Sequence, residues 1–171
     1  MKGYVQVYTG NGKGKTTAAL GLALRATGAG LPVFIAQFVK GMDYSELTAL
    51  GRFSDLITLK QYGRDCFIYQ KPSCEDIAAA RHGFEEVRQV ICSGSYPLVI
   101  LDEANIATYY NLFSVDELLA LIDARPDNVE LVITGRYADE RVLQKADLVT
   151  EMREVKHYFQ DGVQARAGIE R

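Results

Sequence analysis

The sequence predicts an α/β fold, a mostly parallel sheet held between two layers of helices. Strand-like apolar runs alternate with helix-periodic segments along the whole chain, the pattern of strands joined by helical crossovers. Two of those runs, 31–39 and 97–101, are almost continuously apolar, as strands buried on both faces must be. The first strand signal, Tyr4-Val5-Gln6-Val7-Tyr8, feeds through a Gly-rich turn directly into helix-like Ala18-Ala19-Leu20-Gly21-Leu22-Ala23-Leu24. That order puts glycines between a strand end and a helix start, where backbone N–H groups converge on an anion.

The 171 residues suit one domain, able to bury about 70% of its unfolded surface. No internal repeat, low-complexity tract or linker divides residues 1–171. With 48% hydrophobic and 24% charged residues the composition is that of an ordered globular chain. A formal net charge of −3 argues against general nucleic-acid binding, which uses a basic face. An anionic ligand then has to be captured locally. No apolar stretch approaches the ~20 residues of a membrane span. The polar loop beginning at Thr9 stands where a signal peptide needs its apolar core, so a cytoplasmic location is expected, with neither membrane nor nucleic acid as partner. Cys66, Cys74 and Cys92 are odd in number and lack metal-type spacing, and read as reduced thiols.

Taken in order, Gly28-Ala29-Gly30 ends the first helix and Leu31 to Val39 forms the second strand. Ser45 to Leu50 reads as a short helix and Leu56-Ile57-Thr58-Leu59 as a third strand. Residues 61–72 mix aromatics, charges, Gly and Pro, and read as a functional loop. Ser73 with Asp76 opens a helix in capping-box fashion, and Ile77, Ala80, Phe84, Val87 and Ile91 keep helical spacing to Gly94. Pro97 to Leu101 is a buried strand ending in Asp102-Glu103; Ser114 with Glu117 opens the next helix. Val129 to Thr134 delivers Gly135-Arg136 at its carboxyl end, a helix starts at Asp139, and Leu148 to Met152 is the last strand.

The chemistry concentrates in Gly10-Asn11-Gly12-Lys13-Gly14-Lys15-Thr16-Thr17. In a phosphate-binding loop of the form G-x-x-x-x-G-K-[ST], the lysine reaches the phosphates and the hydroxyl ligates Mg²⁺, roles that fall on Lys15 and Thr16. Counting back five residues from Gly14 lands on Thr9, with the glycine one place later at Gly10. The loop is one residue short unless Thr9 takes the glycine's place. Asp102 ends an apolar strand, as the second element of such a site does, and would hold the metal with Thr16, leaving Glu103 to orient water or a substrate group. Arg136 ends another core strand and either clamps a phosphate or is an exposed arginine in a turn. Lys40 is a comparable candidate after Val39, and Lys13 either touches phosphate or faces water. His82 reads as surface, and two histidines without a nearby cysteine make no convincing transition-metal site.

With these elements placed, the chain resembles the P-loop ATP:corrinoid adenosyltransferases, also called cob(I)yrinic acid a,c-diamide adenosyltransferases. The resemblance runs nearly end to end, through Thr9 to Ala19, Gln37-Phe38-Val39-Lys40-Gly41, Val99 to Glu103, Val132 to Arg136, Val155-Lys156-His157-Tyr158-Phe159 and Gly162 to Glu170. The short loop is itself characteristic of that family. The resemblance implies a P-loop NTPase (RecA-like) three-layer sandwich that moves the 5′-deoxyadenosyl group of ATP to the Co(I) of a corrinoid and releases triphosphate. It implies Mg²⁺ or Mn²⁺, a flavoprotein-type reductant and a homodimer. ATP would lie along Thr9, Gly10, Asn11, Gly12, Lys13, Gly14, Lys15, Thr16 and Thr17. Lys15, Thr16, Asp102, Glu103 and Arg136 would serve catalysis, with Lys40 as a further nucleotide contact. The family draws aromatic residues packed against the corrin from the loop equivalent to 61–72, which makes Phe67 the candidate here and Tyr69 the next. Enteric members carry Phe-Thr-Trp in that loop, and this chain has no tryptophan; Phe67 could also simply pin the loop.

Two other functions fit parts of the pattern. A P-loop kinase acting on a nucleoside or small metabolite shares the loop and the Asp-Glu strand, but usually has a full-length loop. A nucleotide-dependent switch or assembly module would need an exposed partner surface.

Overall fold

The computed structural model describes residues 2–42, 44–63 and 71–170. Strands β1 (Val5–Thr9), β2 (Val33–Phe38), β3 (Ile57–Tyr62), β4 (Leu98–Asp102), β5 (Glu130–Thr134) and β6 (Leu148–Glu151) make one sheet in the order β3-β2-β4-β5-β1-β6. Every neighbouring pair is parallel. Where the sequence suggests a mostly parallel sheet, the described strands are parallel throughout. All carboxyl ends therefore open on one rim, the edge at which such sheets bind ligands.

The alternation along each central strand divides the core in two. Phe34, Ala36 and Phe38 of β2, Val99 and Leu101 of β4, and Leu131 and Ile133 of β5 face one side. There they pack on α3 (Cys74–Ser93), α4 (Ala104–Tyr109), α5 (Val115–Ala124) and α6 (Glu140–Lys145). Val33, Ile35, Leu98, Ile100 and Val132 face the other side, against α1 (Lys15–Gly28) and Leu50 of α2 (Ser45–Leu50). The contact stripe of α1 is Ala19, Ala23 and Ala26, small side chains that let the helix lie close to the sheet.

Both sequence-read capping boxes form. The Ser73 and Ser114 hydroxyls each accept the N–H three residues on, while Asp76 and Glu117 accept from the Ser N–H groups. Aspartate at that third position closes the box, as glutamate does.

One reading changes and one helix goes unread. Residues 61 and 62 belong to β3, paired with Gln37 and Phe38, so the irregular segment begins later than residue 61. The reason is packing: the Tyr62 ring lies 5.7 Å from that of Phe38, in space that Gly83 leaves by lacking a Cβ. The helix α4, six residues long, is too short to show a period. Phe67 and Tyr69 lie outside the described residues.

Candidate active site

The loop strand β1 ends at Thr9, which pairs with Glu151 and whose carbonyl accepts the Met152 N–H at 2.8 Å. Thr9 is thus strand and does not replace the missing glycine. Gly10 makes the turn with φ 94, and a Cβ there would collide with the Met152 carbonyl oxygen. That same carbonyl accepts the Gly12 N–H at 2.7 Å, so the segment after β6 braces the short loop. Gly14 caps α1 and Lys15 opens it.

Lys15 is 7% exposed and folds back into the loop, its Nζ donating to the Gly10 and Gly12 carbonyls at 2.7 Å each. Burial pushes its pKa down, against the pull of Glu103. Lys13 points the other way. Its Nζ donates to Glu170 at 2.7 Å and to the Tyr158 hydroxyl at 3.1 Å, tying the loop to the C-terminal segment from an exposed position. Asn11 and Thr17 are exposed.

The centre of the rim is Asp102, which is fully buried. Its Oδ1 accepts the Thr16 hydroxyl at 2.8 Å and the Thr134 hydroxyl at 2.7 Å. Its Oδ2 accepts Lys40 Nζ at 2.7 Å and Gln37 Nε2 at 3.2 Å. A buried carboxylate is tolerable only when paired and hydrogen-bonded in this way. Lys40 also donates to Thr16 Oγ1 at 3.3 Å. Burial opposes the Lys40 charge, but Asp102 outweighs it and the pKa stays raised. Gln37 is held in turn by Gln61, whose Nε2 donates to its Oε1 at 3.1 Å.

Glu103 follows with φ 61 as the N-cap of α4, and its N–H donates to Thr134 Oγ1 at 3.0 Å. Burial, and then the neighbouring Asp102 charge, push its carboxyl pKa up. Gly135 turns at φ 131 beside Asn105, whose Nδ2 donates to the Gly135 carbonyl at 3.3 Å. Arg136 is exposed at this turn and close enough to depress the pKa of both Lys15 and Glu103. The rim therefore gathers Lys15, Thr16, Lys40, Asp102, Glu103 and Arg136, all six read from the sequence.

Thr16 and Asp102 suit Mg²⁺ or Mn²⁺, which prefer hard oxygen ligands. The Thr16 proton already goes to Asp102, leaving an oxygen lone pair for a cation, and the Lys40 ammonium is a cation resting on both groups. Among the described residues no three His, Cys, Asp or Glu side chains cluster, so such an ion would complete its shell with phosphate and water oxygens.

Over residues 1–171 the sequence matches the family described as ATP:corrinoid adenosyltransferase BtuR/CobO/CobP. The chain belongs to this family. A corrinoid adenosyltransferase of Pseudomonas aeruginosa is 36% identical over 170 residues, 99% of this chain and 84% of the relative. That of Escherichia coli K12 is 36% identical over 171 residues, covering 99% and 86%. The corrinoid adenosyltransferase CobA of Salmonella typhimurium is 35% identical over the same length, with the same coverage.

Gln37, Thr134 and Asn105 join the site although no motif assigns them a role. Gln37 was signalled nonetheless, as an amide inside the apolar run 31–39, since a polar group in a fully buried strand needs a partner. Thr134 carries a weaker form of the same signal. Asn105 lies on α4 and had none.

Proposed function

We propose that this chain transfers the 5′-deoxyadenosyl group of ATP to the Co(I) centre of a reduced corrinoid and releases triphosphate. The observation that carries this reading is the family match over the whole chain, joined to a site that binds and neutralises but needs no activated water. The Co(I) electron pair attacks C5′, the Co–C bond forms, the C5′–O bond breaks, and its electrons leave with the triphosphate. Corrinoid cobalt is a substrate here and a strong nucleophile. The protein's share is orientation and charge stabilisation.

In this reading the loop from Thr9 to Thr17 cradles the triphosphate, and Lys15 exchanges the Gly10 and Gly12 carbonyls for phosphate oxygens. Thr16 and Asp102 hold a divalent ion, which when bound screens the developing negative charge. Arg136, following β5 and so between the ends of β4 and β1, offers a two-pronged contact, and Glu103 meets the ribose or the ion's water shell. Phe67, with Tyr69, would lie against the corrin and favour removal of the lower axial ligand, easing reduction of Co(II) by a flavoprotein-type donor. No helix among the described residues is long and apolar enough to cross a membrane; this reading places the reaction in the cytoplasm. A homodimer is the expected assembly, readable by sedimentation.

The site reading is tested by Lys15→Ala, assayed anaerobically with MgATP and prereduced corrinoid. Transfer should fall by about 10²–10³-fold with the circular dichroism spectrum intact; near-normal turnover would remove the loop from the mechanism. Phe67→Ala should lose more turnover with Co(II) and a mild reductant than with prereduced Co(I). Equal losses would reduce Phe67 to a packing residue.

A further inference from the structure

We propose that the Lys40 ammonium is a built-in counter-cation of the metal position, held there until a metal–nucleotide complex displaces it, so that the protein takes up the complex and resists the bare ion. The inference rests on the nucleotide site described above and adds the order in which it is loaded.

The geometry is specific. Thr16 spends its proton on Asp102 Oδ1 at 2.8 Å. The remaining Thr16 lone pair and Asp102 Oδ2 are the oxygens a divalent ion would use, and Lys40 Nζ lies 3.3 and 2.7 Å from them. Two cations cannot share that pair of ligands at such separations without strong repulsion.

Lys40 is not a wandering surface lysine. Its side chain is 14% exposed. Val39 before it takes φ 61, a conformation costly for a β-branched residue, and this turn sends Lys40 back over the rim. The Gly63 N–H pins the Lys40 carbonyl at 3.1 Å, and the Tyr44 ring stands 5.4 Å from the ammonium. Backbone strain held by the surrounding fold marks a position built for a task.

A bare divalent ion entering this site would push the ammonium off Asp102 and leave it only the weaker pull of Glu103 and Glu46. An ion arriving with triphosphate brings oxygens to receive it. Lys40 is therefore a positioning residue that holds the metal position occupied and couples metal entry to nucleotide entry.

The test is titration of the full chain with Mn²⁺ alone, free Mn²⁺ being read by electron paramagnetic resonance, with no nucleotide or corrinoid present. Lys40→Met and Lys40→Gln should bind Mn²⁺ about tenfold or more tightly than the unmodified protein, because the competing charge has gone. Lys40→Arg should keep the weak binding, and adding Asp102→Asn to Lys40→Gln should erase the gain. Lys40→Gln keeps a donor for Asp102, so it guards against a Lys40→Met chain that fails to fold. Equal Mn²⁺ affinity in folded Lys40→Gln and the unmodified protein would overturn the proposal. The same titration with Mn–ATP on the unmodified protein separates the two readings. Loss of binding there would sink the nucleotide site itself, whereas intact Mn–ATP binding with an indifferent Lys40→Gln sinks this inference alone.

Discussion

Asp102 receives hydrogen bonds from Thr16, Thr134, Lys40 and Gln37, donors drawn from three places: the start of α1, the end of β5 and the end of β2. A carboxylate so placed acts as the joint of the site: losing one donor leaves a buried charge short of a partner. Gln37→Leu should lower stability by about 1.5–3 kcal/mol in urea denaturation and weaken metal-dependent ATP binding. An unchanged midpoint would mean that Asp102 does not depend on this amide. Arg136 belongs to a different class, since it is exposed and its worth appears only with substrate. Arg136→Ala should reduce turnover about 10²-fold without lowering stability, and Arg136→Lys should restore little, because an ammonium cannot present two parallel N–H groups. At this scale the sequence was most legible where residue types carry chemistry in fixed spacing, as in Lys15-Thr16 and Asp102-Glu103. Asn105 was illegible because its contact to Gly135 crosses from α4 to the turn after β5, and nothing local announces such a contact.

Among the elements, those with strong local signals appear where their residues predicted. The two capping boxes fix the starts of α3 and α5, and each can be tested. Ser114→Ala should cost about 1 kcal/mol at neutral pH. The Ser114 N–H and hydroxyl hold the Glu117 carboxyl below its ordinary range. A depressed acid pKa stabilises the fold at pH above the unfolded value and loses that contribution as pH falls through the folded value. The stability difference between the unmodified protein and Glu117→Gln should therefore shrink in acid, as pH falls below the ordinary carboxylate range. A difference that grows on acidification would contradict the assignment. What the sequence hid were features fixed by tertiary packing. The last two residues of β3 are strand because Gly83 makes room for Tyr62, and α4 exists because Glu103 accepts a left-handed backbone at its start.

The whole molecule closes on its phosphate loop from behind. Met152 after β6 bonds Thr9 and Gly12, and Glu170 near the C-terminus bonds Lys13, Tyr158 and Arg166. Arg166, and then Lys13 and Tyr158, hold the Glu170 carboxyl well below its ordinary range, so this clasp persists above the carboxylate range and loosens in strong acid. Glu170→Gln should speed proteolysis at Lys156 and Arg166; an unchanged cleavage rate would show that the tail is held by other contacts. That a terminal glutamate restrains the loop lysine is invisible in sequence, where 157 positions separate them. The parallel sheet itself was legible, because central strands such as β2 and β4, buried on both faces, leave short apolar runs that alternate with helix-periodic segments.

One measurement tests the central claim most directly. Protein, MgATP and prereduced cob(I)alamin are combined without oxygen, and both the corrinoid spectrum and the phosphate products are followed. The account predicts a light-sensitive adenosylcorrinoid formed one for one with triphosphate. ADP or inorganic phosphate in its place, with the corrinoid unchanged, would contradict it.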